Sequence, residues 1–280
     1  MLKNLKEYVK PKDLKEAITI LSKNPEKAKI IAGGTSVVIS NNKKIEILVD
    51  IKNLNLNYIK KNKNEIIIGA TTTINELLES KIIQQYCNGI IYKSAYNIAS
   101  TPVRNLITVG GNISQVYPWS DLPLSLLLVN AKIKIENKSK TRIIPILELF
   151  QKHPLVYLKN DEIITEIILP ENKNYKGNFV KFAKTQFDFS LVDAAIMVKI
   201  KNKEFEDVKL GISATSPLPQ ILSTSSNMLI GKKTNDKEAI NIAIQNTSKE
   251  AMVNKDIRVS VEYKREIIPV LLRRLLEEII

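Results

Sequence analysis

The chain has 280 residues, 44% of them hydrophobic and 25% charged, which suits globular domains with buried cores and excludes a disordered chain. Its formal net charge of +13 raises the question of a polyanionic partner, but the basic residues are scattered. Short clusters such as Lys43-Lys44, Lys60-Lys61 and Lys232-Lys233 form no basic arm and carry no interleaved aromatics, the pattern of a solvated basic face.

The first residues, "MLKNLKEYVKPKDLKEA", are polar and lack an apolar core with a cleavage site, so a cytoplasmic protein is expected. "PKDLKEAITILSK" places Leu14, Ala17, Ile18 and Leu21 on one helical face, with Pro11 suited to the first turn. In "AKIIAGGTSVVIS" a strand stops at Gly33-Gly34 and the chain is expected to resume as a helix; "KIEILVDI" then reads as a buried strand. "EIIIGATTTINELLES" predicts a strand, a turn and a helix capped by Thr73, and "GIIYKSAYNIAS" a further helix. "ITVGGN" reads as a strand ending in glycines, "DLPLSLLLVNA" as a helix, and "AKIKIEN", "TRIIPI" and "EIITEIILP" as strands.

A polar linker, "ENKNYKGN", places the best boundary near residues 171 to 177. Beyond it "NFVKFAK" and "LVDAAIMVKIKNKEFEDVKLGIS" are strand-like, and helices are expected around "DKEAINIAIQNTSKEA" and "SVEYKREIIPVLLRRLLEEII". The fold class is therefore α+β. The uncharged stretch "LGISATSPLPQILSTSSNMLIG" is broken by two prolines and many hydroxyls and is no membrane span.

One cysteine, Cys87, and one histidine, His153, rule out an internal disulfide and a self-contained iron–sulfur or zinc site, which takes about four such ligands. Cys87 is expected to be a buried small hydrophobe and His153 a turn residue before Pro154. The chemistry must lie elsewhere. Two Gly-Gly turns, Gly33-Gly34 and Gly110-Gly111, each follow an apolar β run. Glycine lets successive N–H groups point into one concavity and lets a ligand lie against the chain, geometry suited to a pyrophosphate. Neither turn fits the G-x-G-x-x-G or G-x-x-x-x-G-K-[ST] patterns, and each taken singly reads first as a plain tight turn. Their neighbours add weight: Thr35 and Ser36 follow the first, Thr108 precedes the second, and Asn112, Ser114, Gln115 and Asp121 come after it. Such short polar side chains suit ribose hydroxyls, phosphate oxygens and purine edges.

At these residues the chain resembles a known family. "IIAGGTSVV", "VRNLITVGGNISQVYPWSDLPLSLLLVNA", "FVKFAKTQFDFSLVDAA" and "DIRVSVEYKREIIPVLLRRLLEE" stand in the order and approximate spacing of the FAD-binding medium subunit of the xanthine dehydrogenase and carbon monoxide dehydrogenase family of molybdenum hydroxylases. The resemblance implies an FAD-binding domain of the p-cresol methylhydroxylase type over residues 1–172, in subdomains of about 1–54 and 55–172, and a C-terminal flavoprotein domain over 173–280. It further implies that Ile30, Ile31, Ala32, Gly33, Gly34, Thr35, Ser36 and Val37, together with Thr108, Gly110, Gly111, Asn112 and Gln115, hold FAD. Asp121 matches a residue that hydrogen-bonds the adenosine half, Ile164 an apolar residue lining the flavin site, and Lys181 a lysine near the ring, where a cation favours the reduced flavin.

In this reading the chain is an FAD-dependent oxidoreductase subunit with no catalytic side chain or metal of its own. Electrons pass from a [2Fe–2S] partner subunit through FAD to NAD or another acceptor, and a third subunit holds the molybdenum cofactor. The sequence departs from the family pattern at Ser36, at Tyr117 and at Lys184-Thr185-Gln186, beside the expected flavin, and lacks a cysteine-bearing insertion. The competing class is a non-catalytic nucleotide-binding or basic nucleic-acid-binding protein, resting on the two loops or the charge.

Overall fold

The computed structural model describes residues 2–40 and 42–280. Contacts divide the chain into two units, the first made of the chain up to Leu77 with Ser100–Gln115 and Ala131–Pro170. The second combines Leu78–Ala99, Val116–Asn130 and Glu171–Ile280.

In the first unit, β1 (Glu7–Val9), β2 (Ala28–Ile31) and β3 (Ile47–Asp50) form a parallel sheet in the order β1-β3-β2. The helix Leu14–Lys23 between β1 and β2 lays Ala17, Ile18 and Leu21 against Ala28, Val49 and Ile51, as the helical spacing requires. Asp13 caps it by accepting the Glu16 N–H at 2.8 Å, so Pro11 lies ahead of the cap, outside the first turn. The unit also contains a five-stranded antiparallel sheet of β4 (Ile59–Lys61), β5 (Glu65–Gly69), β6 (Lys132–Glu136), β7 (Thr141–Pro145) and β8 (Ile163–Pro170), ordered β4-β5-β8-β6-β7. The central strand β8 is buried along nearly its whole length, which is why it reads as a continuous apolar run. The expected Thr73 cap is present: its hydroxyl accepts the Glu76 N–H at 3.2 Å and the Glu76 carboxylate accepts the Thr73 N–H at 2.8 Å.

The second unit is built on β9 (Tyr175–Phe182), β10 (Val192–Lys201), β11 (Glu204–Ser213) and β12 (Gln220–Ile221), antiparallel in the order β12-β11-β10-β9. Asn202 and Lys203 turn the β10–β11 hairpin with φ of 51° and 61°, the left-handed pair that a two-residue hairpin demands. Val192, Ala194, Ile196 and Val198 pack one face of β10 against the helices Lys237–Glu250 and Val261–Glu277. On the opposite face β9 meets the helix Ile90–Tyr96 while β10 and β11 meet Leu122–Leu128, and Gly211 permits the approach: a Cβ there would lie 2.4 Å from Leu128 Cδ1. Cys87 is buried, as expected, and His153 caps the short helix Pro154–Tyr157 by accepting the Leu155 N–H through Nδ1 at 3.3 Å.

Candidate cofactor site

The first glycine loop leaves β2 beside β3, where Ile31 pairs with Asp50. Ile30 and Ala32 pack toward the Leu14–Lys23 helix, while Ile31 and Val37 pack with Ile45 and Leu48, so the apolar members anchor the loop from both sides. Gly34, with φ of +75°, reverses the chain. Thr35 to Ser40 then form turns, with Val38 N–H on Gly34 O and Ser40 N–H on Ser36 O, each at 3.2 Å, in place of the helix expected there. Four β-branched residues among those six, Thr35, Val37, Val38 and Ile39, account for the failure to propagate.

The second glycine stretch also corrects the sequence reading. Thr108 makes only an isolated bridge to Thr73, and Val109–Ser114 is a helix with both glycines in its first turn. Thr108 caps it, its hydroxyl accepting the Gly111 N–H at 3.2 Å, and Gln115 closes it with its N–H on Gly111 O at 3.0 Å. A relay of 2.9 Å bonds ties this helix start to the sheet: Gly110 N–H to Ala70 O, and Ala70 N–H to Thr165 O, next to the buried Ile164. Of the four glycines only Gly34 has positive φ, so Gly111 has no left-handed strain to relieve.

The glycines bring backbone to backbone. A Cβ on Gly33 would sit 1.6 Å from the Leu106 carbonyl oxygen, and one on Gly110 would sit 2.7 Å from Ala70 Cβ. Gly33 thus seats the first loop against the chain that runs into the second. Gly111 is the exposed one, where an added Cβ would meet only Thr108 Oγ1, at 2.8 Å. Beside the junction lies a cavity of about 440 Å³, lined by Gly33, Leu106 and Thr108 and by residues the sequence did not single out, among them Lys52, Asn57, Thr71 and Asn105. Thr71 Oγ1 and Asn112 Oδ1 are buried without a hydrogen-bond partner. Open polar groups beside paired glycine loops fit a ligand rich in phosphate and hydroxyl groups.

Asp121 and Lys181 belong to the second unit, where they meet each other. Lys181 Nζ lies 3.8 Å from Asp121 Oδ2 and donates to the Asn97 carbonyl at 3.0 Å; Asp121 Oδ1 accepts from Ser190 Oγ at 2.8 Å. Sequence patterning missed the third member, Asp193, which pairs with Lys181 across β9 and β10 and with Ser213 across β10 and β11, accepting from Ser213 Oγ at 2.9 Å. Burial pushes the Asp121 carboxyl well above the usual range, helped by the Asp193 charge and opposed by Lys181. Burial likewise pushes Asp193 up to about 6, against its serine partners and Lys181. Lys181 is thus a buried, paired lysine. Nearby in the same unit, Trp119 stacks on Tyr117 and on Phe189, with centroids 5.4 and 4.7 Å apart.

Comparison with known proteins gives two family matches in chain order. Residues 3–172 match the FAD binding domain in molybdopterin dehydrogenase, and residues 178–279 the CO dehydrogenase flavoprotein C-terminal domain. The chain is 30% identical over 276 residues to the glyceraldehyde dehydrogenase medium chain of Sulfolobus acidocaldarius, covering 97% of each. It is 30% identical over 220 residues to the putative xanthine dehydrogenase FAD-binding subunit XdhB of Escherichia coli, covering 76% of this chain and 75% of that one. In fold it is similar to a chain of the Cu,Mo-CO dehydrogenase crystal structure, with a TM-score of 0.90 at 24% identity, covering 99% of this chain and 98% of the other. No helix of the described residues is long and apolar enough to cross a membrane.

Proposed function

We propose, since this chain belongs to the FAD-binding family of the molybdopterin dehydrogenases, that it is the electron-transferring flavoprotein subunit of a molybdenum hydroxylase that also contains an iron–sulfur subunit and a molybdenum-cofactor subunit. It is an oxidoreductase subunit and FAD is its cofactor. Bound FAD supplies the redox chemistry, accepting electrons from a [2Fe–2S] partner and yielding them to NAD or another acceptor, while the protein holds and tunes it.

The observation that carries this reading is the seating of Gly33 on the Leu106 carbonyl. It sets Ile30–Val37 beside Thr108–Asn112 in one unit, with the unsatisfied Thr71 hydroxyl and Asn112 amide oxygen at hand. The first loop, which turns at Gly34, can present N–H groups to a pyrophosphate, whereas the N–H groups of residues 109–112 are already bonded to Thr72 O, Ala70 O, Thr108 Oγ1 and Thr108 O, so the second stretch contributes the exposed, side-chain-free surface of Gly111. Lys52, Asn57 and Thr71 join the candidate contacts because they line the same cavity as Gly33 and Thr108. The contact of Gln115 with FAD, the role of Asp121 toward the adenosine half, and those of Ile164 and Lys181 toward the ring are part of the same proposal. Lys181 in this role brings a cation held by Asp121 and the Asn97 carbonyl rather than one free to swing.

The test is reconstitution of the purified chain with FAD. We expect one flavin per chain, NADH:dye reductase activity at most, and oxidation of an organic substrate only after iron–sulfur and molybdenum subunits are added. A folded chain that takes up no FAD would refute the site, and substrate oxidation by the chain alone would refute the division of labour.

A further inference from the structure

Asp193 is fully buried and lies in a row, Lys181–Asp193–Ser213, that crosses three strands on one face of the second unit's sheet. Asp121 comes down on this row from the residue that opens the helix Leu122–Leu128. The cluster therefore encloses two carboxyl groups and one ammonium group. Its neutral members are all accounted for: Ser190 Oγ donates to Asp121, Ser213 Oγ donates to Asp193, and the Asn97 carbonyl accepts from Lys181. The charged groups acting on the pair are each other and Lys181.

One oxygen is left over. Asp193 Oδ1 is buried and has no hydrogen-bond partner. Asp121 approaches the same Lys181 that Asp193 faces across β9 and β10, and its carboxyl can act as the missing donor only when it carries a proton. Two ionised carboxylates in contact in a dry site repel, whereas an acid hydrogen-bonded to a carboxylate satisfies both groups.

We propose that Asp121 and Asp193 hold a single proton between them as an acid–carboxylate pair, so that Lys181 faces one negative charge and Asp193 acts as a positioning residue for that lysine. The pair titrates as a unit, and neither aspartate owns the proton. The inference rests on the function proposed above only in giving Lys181 a place toward the flavin; the shared proton itself rests on the second unit alone.

The sign of its linkage to stability is defined. The native chain keeps a proton that an unfolded aspartate releases above about pH 4, so stability contributed by the pair declines as pH rises from there to the native titration point, with a slope of one proton per chain. Asp193→Asn or Asp121→Asn substitutes a neutral amide for one member and leaves the other ionised opposite Lys181. Each single variant is expected to lose this slope. An infrared band from a protonated buried carboxyl is expected in the full-length wild-type protein at neutral pH and is expected to vanish in both single variants.

No such band in the wild type, or a band that survives in either variant, would overturn the shared proton, as would equal pH slopes in wild type and variants. FAD content is measured on the same samples to separate the two proposals. A chain that shows the proton signature but binds no FAD overturns the assigned function and leaves the pair standing; one that binds FAD without the signature overturns the pair alone.

Discussion

Gly33→Ala tests the junction of the two loops. The new Cβ would lie 1.6 Å from the Leu106 oxygen and 2.5 Å from its carbonyl carbon. A carbon and a carbonyl oxygen tolerate about 3.3 Å, so the two backbones must part by roughly 1.7 Å. Leu106 cannot retreat freely, because the next residue's carbonyl accepts the Ile74 N–H at 2.9 Å and its N–H donates to Val103 O at 3.0 Å. Overpacking against tethered backbone costs about 1–3 kcal/mol, and here a value of ~2 or more is expected, since no side chain can rotate away. FAD affinity should fall at least tenfold, the equivalent of ~1.4 kcal/mol. Gly111→Ala is the matched control. Its Cβ meets only the Thr108 hydroxyl, so ~1 kcal/mol lost at the cap is offset by ~1 kcal/mol gained from alanine in a helix. Chemical denaturation and flavin titration of both variants separate fold from ligand contact. Wild-type stability and FAD affinity in Gly33→Ala would refute the reasoning.

Thr71→Val removes a buried hydroxyl that has no partner, so it should be neutral or stabilising by up to ~1 kcal/mol, while FAD affinity drops if that hydroxyl meets the ligand; denaturation and flavin titration read the two effects separately. Lys181→Met leaves its partners Asp121 and the Asn97 carbonyl unmet and should cost about 3 kcal/mol of stability. With FAD still bound, potentiometry should show a midpoint lower by about 20 mV for each ~1 kcal/mol lost toward the reduced flavin, and an unmoved potential would confine Lys181 to a structural role. Arg258 first, then Lys264, holds the Asp256 carboxyl well below the usual range. A lowered folded value contributes stability that is complete above about pH 4 and lost as pH falls further, so Asp256→Asn should flatten the acid limb of a Tm–pH curve.

Much of the fold was legible because local pattern and burial agree. The face of the Leu14–Lys23 helix, the alternation in β6 and β7, and the Thr73–Glu76 capping box each turn a short sequence signal into the observed element. Two segments misled for opposite reasons. Thr35 to Ser40 lacks the propensity to extend its turns, whereas Val109–Ser114 is a helix despite two glycines, because Thr108 caps it and Ala70 and Thr72 pin its first N–H groups. Nor does chain order show that Leu78–Ala99 and Val116–Asn130 pack with the last 110 residues, Glu171–Ile280: that grouping is fixed by long-range contacts such as Gly211 with Leu128.

The candidate site was legible as glycines and short polar residues, but the physical role of the glycines was not. Composition suggests that they make room for a ligand; at Gly33 and Gly110 they make room for the chain itself, and any ligand-facing freedom falls to Gly111. Loss of FAD in a glycine variant therefore has two causes that only a stability measurement can separate, and the contrast between Gly33 and Gly111 is where they diverge. Asp193 was hidden for a different reason. In "LVDAAIMV" a lone aspartate inside an apolar run looks like a strand end, and its partners Lys181, Ser213 and Asp121 are distant in sequence. They meet only through strand register and the docking of one helix, so the cluster exists at the level of tertiary pairing and no window along the chain contains it.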